Sequence, residues 1–212
     1  MKGDIIIVEE HHIRVAKIIV SRIKANIKMD TRYTISVAGE SGSGKSETAK
    51  ALAQVFEKEG MKSFVFQQDD YFLYPPKTND LTRRKDIGWV GPKEVNLKKL
   101  DEDLKQAIDG KPEVIKPLVL YQDDKIENEV IQLEGTNVII AEGTYTSLLQ
   151  NIDTKVFINR NRLETLESRK KRGREPIEPF IEEVLKIEHE IISKHKEYAD
   201  IIITKDYNVE FR

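Results

Sequence analysis

The sequence predicts an α/β fold: a parallel sheet of about five strands with helices on both faces, a basic lid and a small β excursion. Three observations predict it. Short β-branched or apolar runs such as "TISVAG", "NVIIAEG" and "ADIIIT" alternate with helix-length amphipathic segments, as in a sheet covered on both sides. "NVIIAEG" and "TKVFIN" are apolar without alternation, the mark of parallel strands buried on both faces. Finally, 212 residues suffice for one large core.

The elements follow in order. Ile13, Ala16, Ile19, Val20, Ile23 and Ile27 recur at helical spacing, so an amphipathic helix occupies an N-terminal extension over residues 1–32 and the main domain takes 33–212. The apolar side of that helix packs on the domain or serves self-association. His11 and His12 have no carboxylate or cysteine at metal-site spacing and read as solvated or capping residues. "TISVAG" is a strand, Ser46–Glu59 a helix stopped by Gly60, and "SFVFQQ" the next strand. From Asp70 to Pro92 the chain is polar and proline-rich, which reads as a long binding loop or lid. Leu97–Ile108 is a helix closed by Gly110, and "PLVLYQDDKIENEVIQL" makes two short extended pieces around a polar turn. After "NVIIAEG" and "TKVFIN" come helices near Arg162–Lys171 and Ile177–Glu197, then "ADIIIT" as the final strand.

Composition removes several classes of function. With 35 basic and 37 acidic residues the net charge is −2, so no global field attracts nucleic acid, and an anion site must be built locally. Cysteine is absent, which excludes thiolate nucleophiles and Cys-ligated metals. The opening residues lack the pattern of a signal peptide, and no segment approaches a membrane span. A cytoplasmic protein acting on a small molecule, with no nucleic-acid or membrane partner, is the expectation. The first helix and the β excursion offer two surfaces on which a homo-oligomer could form.

The chemistry is concentrated in "AGESGSGKS". Gly39, Glu40, Ser41, Gly42, Ser43, Gly44, Lys45 and Ser46 complete the pattern G-x-x-x-x-G-K-S between a predicted strand and helix. Such a loop turns successive N–H groups toward phosphates, Lys45 reaches the outer phosphates, and the Ser46 hydroxyl ligates Mg2+. ATP with Mg2+ is the implied cofactor pair. Two carboxylates stand at strand ends, where a doubly wound sheet gathers its chemistry. Glu142 closes "NVIIAEG" as a metal ligand; Asp69, with Asp70 beside it, follows "SFVFQQ" as general base and further metal candidate, and the two registers of that pair stay open. The guanine-reading N-K-x-D of a GTPase is missing.

"RNRLETLESRKKRGREP", residues 160–176, is the basic lid. Arg172 and Arg174 flank Gly173 and are the first candidates to swing over transferring phosphoryl oxygens, with Arg169 third. In the long polar stretch, Tyr71, Phe72, Tyr74 and Trp89 either stack on an acceptor or pin the loop. Arg83, Arg84 and Lys85 either hold an acceptor anion or lie on the surface.

The ordered series "AGESGSGKS", "QQDDYF", Trp89 with Pro92, "IIAEGTY", the "RGR" at 172–174 and "YADIII" resembles the uridine kinase and phosphoribulokinase family over roughly residues 33–204. The resemblance implies a P-loop kinase fold that phosphorylates a hydroxyl of a small metabolite with ATP and Mg2+. It places the base on Asp69, the metal on Ser46 and Glu142, and lid arginines on Arg172 and Arg174. Uridine kinases carry an aspartate before histidine and proline where this chain has "WVGP", and a tyrosine, aspartate, phenylalanine and later histidine where it has "PLVLYQDDK". The groups that read uridine are not evident. A nucleoside monophosphate kinase, needing Arg83 and Arg84 as a clamp, and a non-catalytic ATP-binding regulator are the competing readings.

Overall fold

The computed structural model describes residues 6–28, 30–166 and 178–212. Its main sheet has six strands: β1 (Tyr33–Gly39), β2 (Ser63–Gln67), β5 (Val138–Glu142), β6 (Thr154–Ile158), β7 (Ile201–Ile203) and β8 (Val209–Phe211). Their order is β2-β5-β1-β6-β7-β8. The first five in that order run parallel, as expected; β8 adds an antiparallel edge to β7. Thus "ADIIIT" is not the last strand. The turn into β8 places Tyr207 at φ 57, and the three-residue strand that follows is half exposed, so it carries no buried-strand pattern in sequence.

Alternation along the strands sends side chains to opposite faces. Ile35, Val37, Val138, Ile140, Val156 and Ile158 face one core, shared with helices α1 (Glu10–Ile23) and α2 (Lys45–Lys58). Phe66, Ile139, Ala141, Phe157 and Ile202 face the other, with α4 (Leu97–Ile108) and the segment after α5 (Pro179–Ile192). α1 lays Val15, Ala16, Ile19, Val20 and Ile23 into the first core, so its apolar stripe is occupied within the chain. His12 caps that helix by accepting the Glu9 N–H at Nδ1, 3.1 Å away.

The β excursion is an antiparallel pair, β3 (Glu113–Leu120) and β4 (Lys125–Gln132), forming its own sheet. The stretch 70–92 is not one long loop. It contains α3 (Pro76–Lys85), started by Pro76 at the first helical position, where a missing N–H costs nothing. Only Asn79 of α3 is buried, so the helix carries no apolar periodicity to betray it. The lid residues 167–177, including Arg169, Arg172 and Arg174, lie outside the described residues. Among the described residues no helix is long and apolar enough to cross a membrane.

Candidate active site

The pairing registers bring the chemistry together. Glu142 sits opposite Val37 of β1 on one side and Gln67 of β2 on the other, so the carboxyl ends of three neighbouring strands converge. From these ends leave the phosphate loop and the short helical turn Gln68–Tyr71. This is the crevice in which open α/β sheets bind ligands.

The loop fits phosphate. Gly39 has φ 154, and a Cβ there would stand 2.8 Å from Ser43 Oγ and 2.9 Å from the Ile158 carbonyl, so only glycine closes the turn. The Glu40 carbonyl accepts from Ser43 N–H at 3.1 Å and from Lys45 Nζ at 2.9 Å, holding the lysine across the loop. α2 begins directly on the loop, at Lys45, so the positive end of its backbone dipole lies beside it. The Ser43 hydroxyl is buried with no hydrogen-bond partner in the protein. A glycine turn with an unsatisfied buried hydroxyl at a helix start suits an anion.

Ser46 donates its hydroxyl to Glu142 Oε1 at 3.1 Å. Burial, and secondarily the nearby Asp69 carboxylate, push the Glu142 carboxyl up to about 7, against the opposing pull of Lys45 and the Ser46 hydrogen bond. Hydroxyl and carboxylate oxygens are the hard donors Mg2+ takes, and that ion usually keeps waters and substrate phosphates as its remaining ligands. The donor set therefore fits, although no cluster of three or more His, Cys, Asp or Glu occurs among the described residues.

Asp69 and Asp70 separate cleanly. Asp69 lines a cavity of about 550 Å³ together with Lys45, Ser46 and Glu142. Asp70 turns away and is buried, paired to Lys116 of β3 at 2.7 Å and accepting the Val119 N–H at 3.1 Å. Tyr71 is pinned too, donating to Asp103 of α4 at 2.9 Å. Trp89 donates its indole N–H to Asn79 at 2.9 Å and so fastens the loop, whereas Phe72 and Tyr74 line the cavity.

Arg83 is not a free clamp. It binds both oxygens of buried Glu94, at 2.6 and 3.1 Å, and reaches Glu188 of α5 at 3.2 Å. Burial opposes its charge, but these two acids hold its pKa above the ordinary value. Arg84 is held by Asp80, at 2.7 Å, and by Glu178. Lys85 does not line the cavity. Of the lid cations described, Arg162 pairs with Glu182 at 3.0 Å.

Several contributors escape sequence reasoning. His189 of α5 meets Glu40 of the phosphate loop at 2.6 Å. Gly143, φ 156, passes so close to Gln68 that a Cβ would lie 2.2 Å from that residue's Cβ. Gln68 in turn accepts the Tyr145 N–H at 2.6 Å, locking the turn before Asp69 to the loop after Glu142. The sequence signal was there for Gly143, directly after the strand-end acid; for the distant partners there was none. A second cavity, about 520 Å³, opens on the other side of the loop between Glu40, Arg160, His189 and Thr204.

The fold is of the P-loop α/β class. Residues 34–209 match the model of the Phosphoribulokinase / Uridine kinase family, and the chain belongs to it. Among curated relatives it is 30% identical over 194 residues to the bifunctional alpha-galactosidase/sucrose kinase AgaSK of Mediterraneibacter gnavus, covering 85% of this chain but only 21% of that protein. It is also 30% identical over 182 residues to the uridine kinase of Anoxybacillus flavithermus, covering 80% of this chain and 84% of the relative. The solved phosphoribulokinase from Rhodobacter spheroides shares the fold, with a TM-score of 0.62 at 15% identity over 82% of this chain and 70% of that one.

Proposed function

We propose that the protein transfers the terminal phosphoryl group of ATP to a hydroxyl of a small metabolite. One observation carries this reading: Lys45, Ser46, Asp69 and Glu142 border a single cavity large enough for an acceptor. When bound, Mg2+ supplies charge neutralisation at the phosphoryl oxygens, and Ser46 and Glu142 are the residues that would hold it, with Asp69 alongside. Asp69 takes the proton of the acceptor hydroxyl as that oxygen bonds to the terminal phosphorus and the bond from that phosphorus to the bridging oxygen breaks, releasing ADP. Lys45 and the N–H groups of residues 39–46 hold the phosphates and stabilise charge in the transition state. Arg172, Arg174 and Arg169 are assigned to closure over the phosphoryl group. The nucleoside end of ATP is assigned to the second cavity, a reading supported by Glu40, which that cavity shares with the phosphate loop.

The family name joins a kinase of a sugar phosphate with a kinase of a nucleoside, so membership leaves the acceptor open. The relatives' names offer sucrose and uridine, both uncharged. The reading is tested by incubating the protein with labelled Mg-ATP and a panel of nucleosides, sugars and their phosphates, beside Asp69→Asn. Phosphorylated product from the native protein alone supports it; tight nucleotide binding with no product across the panel favours a regulatory ATP-binding role instead.

A further inference from the structure

Helix α1 lies outside the stretch that matches the family, residues 34–209, yet it reaches the phosphate loop. A Cβ on Gly44 would stand 3.3 Å from His12 Nε2 and 3.2 Å from the Tyr207 hydroxyl, so both side chains close on the point where the loop becomes α2. Their rings meet edge to face, 5.3 Å between centroids, and the His11 ring packs on Tyr207 at 4.0 Å. Arg14, three residues further along α1, donates from Nη2 to the Tyr207 carbonyl at 3.4 Å. Tyr207 has a left-handed backbone, φ 57, which a residue with a side chain keeps where its surroundings fix it. α1 supplies those surroundings.

Tyr207 in turn holds Arg160. The arginine Nη1 donates to the phenol oxygen at 2.7 Å, and its guanidinium carbon sits 5.1 Å from the ring centroid, so the ring both accepts from the cation and backs it. Nη2 donates to the Glu164 carbonyl at 3.3 Å, and Nε is buried without an acceptor. Glu164 and Asp206 share the wall of the second cavity with Arg160, but among the described residues no carboxylate pairs with it. The charge is thus placed without being neutralised. A planar cation with spare N–H donors, backed by a ring and lining a cavity beside the phosphate loop, fits the flat, acceptor-bearing base of a nucleotide.

Resting on the reading that places the nucleoside end of ATP in the second cavity, we propose that Arg160 contacts that nucleoside and that Tyr207, packed by His11 and His12 of the N-terminal helix, is the positioning residue that holds it there. The N-terminal extension is then part of the nucleotide site, acting through one ring and one hydroxyl.

The test reads affinity by calorimetry with two probes, Mg-ATP and Mg-tripolyphosphate, the second carrying phosphates without a nucleoside. Arg160→Met is expected to weaken ATP about 10-fold and tripolyphosphate by less than about 2-fold. Tyr207→Phe keeps the ring but loses the hydroxyl, and should weaken ATP alone by about 3-fold. The double variant should bind ATP no more weakly than Arg160→Met, because the phenol acts through the arginine. His11→Ala, which opens the ring stack on the α1 side, should lower ATP affinity in the same selective way. Unchanged ATP affinity in Arg160→Met, or equal losses for both probes, overturns the contact. Additive losses in the double variant overturn the positioning role of Tyr207, and an ineffective His11→Ala removes α1 from it. ATP bound in the expected pattern with no acceptor phosphorylated keeps this inference and removes the phosphoryl-transfer reading, whereas a native protein that binds ATP no tighter than tripolyphosphate overturns the inference.

Discussion

Lys116 and Asp70 form an ion pair at 2.7 Å with each side chain only 3% exposed. Lys116 also reaches Glu129 on the paired strand at 2.7 Å, and the Val119 N–H adds a second bond to Asp70. The hairpin therefore grips the turn whose preceding residue, Asp69, faces the cavity. Removing one partner leaves the other charge buried and unpaired. Lys116→Met should cost about 3–5 kcal/mol in urea unfolding. Asp70→Asn keeps the shape and the Val119 contact, and should cost less while lowering kcat more than the KM of ATP, because it loosens the segment that aims Asp69.

Asp69 itself makes a different prediction. A residue that only accepts a proton in the transition state affects the chemical step and not nucleotide binding. Asp69→Asn should lower kcat by about 10²–10⁴-fold with little change in the affinity for ATP measured by calorimetry. A loss of ATP affinity as large as the loss of kcat would instead place Asp69 on the metal.

The contrast between these two aspartates shows where sequence reasoning stopped. The phosphate loop, the strand-end Glu142 and the helix Leu97–Ile108 are local patterns, each written in consecutive residues, and the structure has them where the sequence puts them. Choosing between Asp69 and Asp70 required knowing that Lys116, 46 positions away, folds back onto one of them. Arg83 and Arg84 read as clamp residues for the same reason: Glu94 is close in sequence, but Glu188 in α5 and Glu178 just before it come about a hundred residues later. α3 was hidden because it has one buried residue and no apolar stripe. Distant ion pairs leave no periodicity, so they are the part that the chain's local grammar does not record.

Gly143 is predicted to be intolerant of any side chain. It lies directly after Glu142 with φ 156, and the added Cβ would fall inside contact distance of Gln68 Cβ, Cδ and Oε1. The neighbour is not free to give way, since Gln68 is buried and holds the Tyr145 N–H. Gly143→Ala should destabilise the protein by about 2–4 kcal/mol from strain and overpacking. Any folded fraction should show a lower kcat, because both Asp69 and Glu142 adjoin the clash. Thermal unfolding and steady-state kinetics on the same preparation check the two effects.

The pH dependence of stability follows from His12. Burial, with His11 second and Arg160 adding to it, lowers its imidazole from 6.5 to about 4, although Glu47 and Glu9 pull the other way. Its Nδ1 already accepts the Glu9 N–H, so the neutral ring is the form that caps α1. In the unfolded chain the same ring protonates near 6.5. Between roughly pH 6.5 and 4 the unfolded state thus binds a proton that the native state refuses, and stability falls as pH falls through that window. His11 and His195, also lowered by burial, tilt the curve in the same direction. His12→Gln, which can still accept the Glu9 N–H, should flatten the slope by up to one proton while leaving stability at pH 8 nearly unchanged. Urea unfolding of both proteins at half-unit pH intervals reads this out, and an unchanged slope in the variant would show that His12 titrates alike in both states.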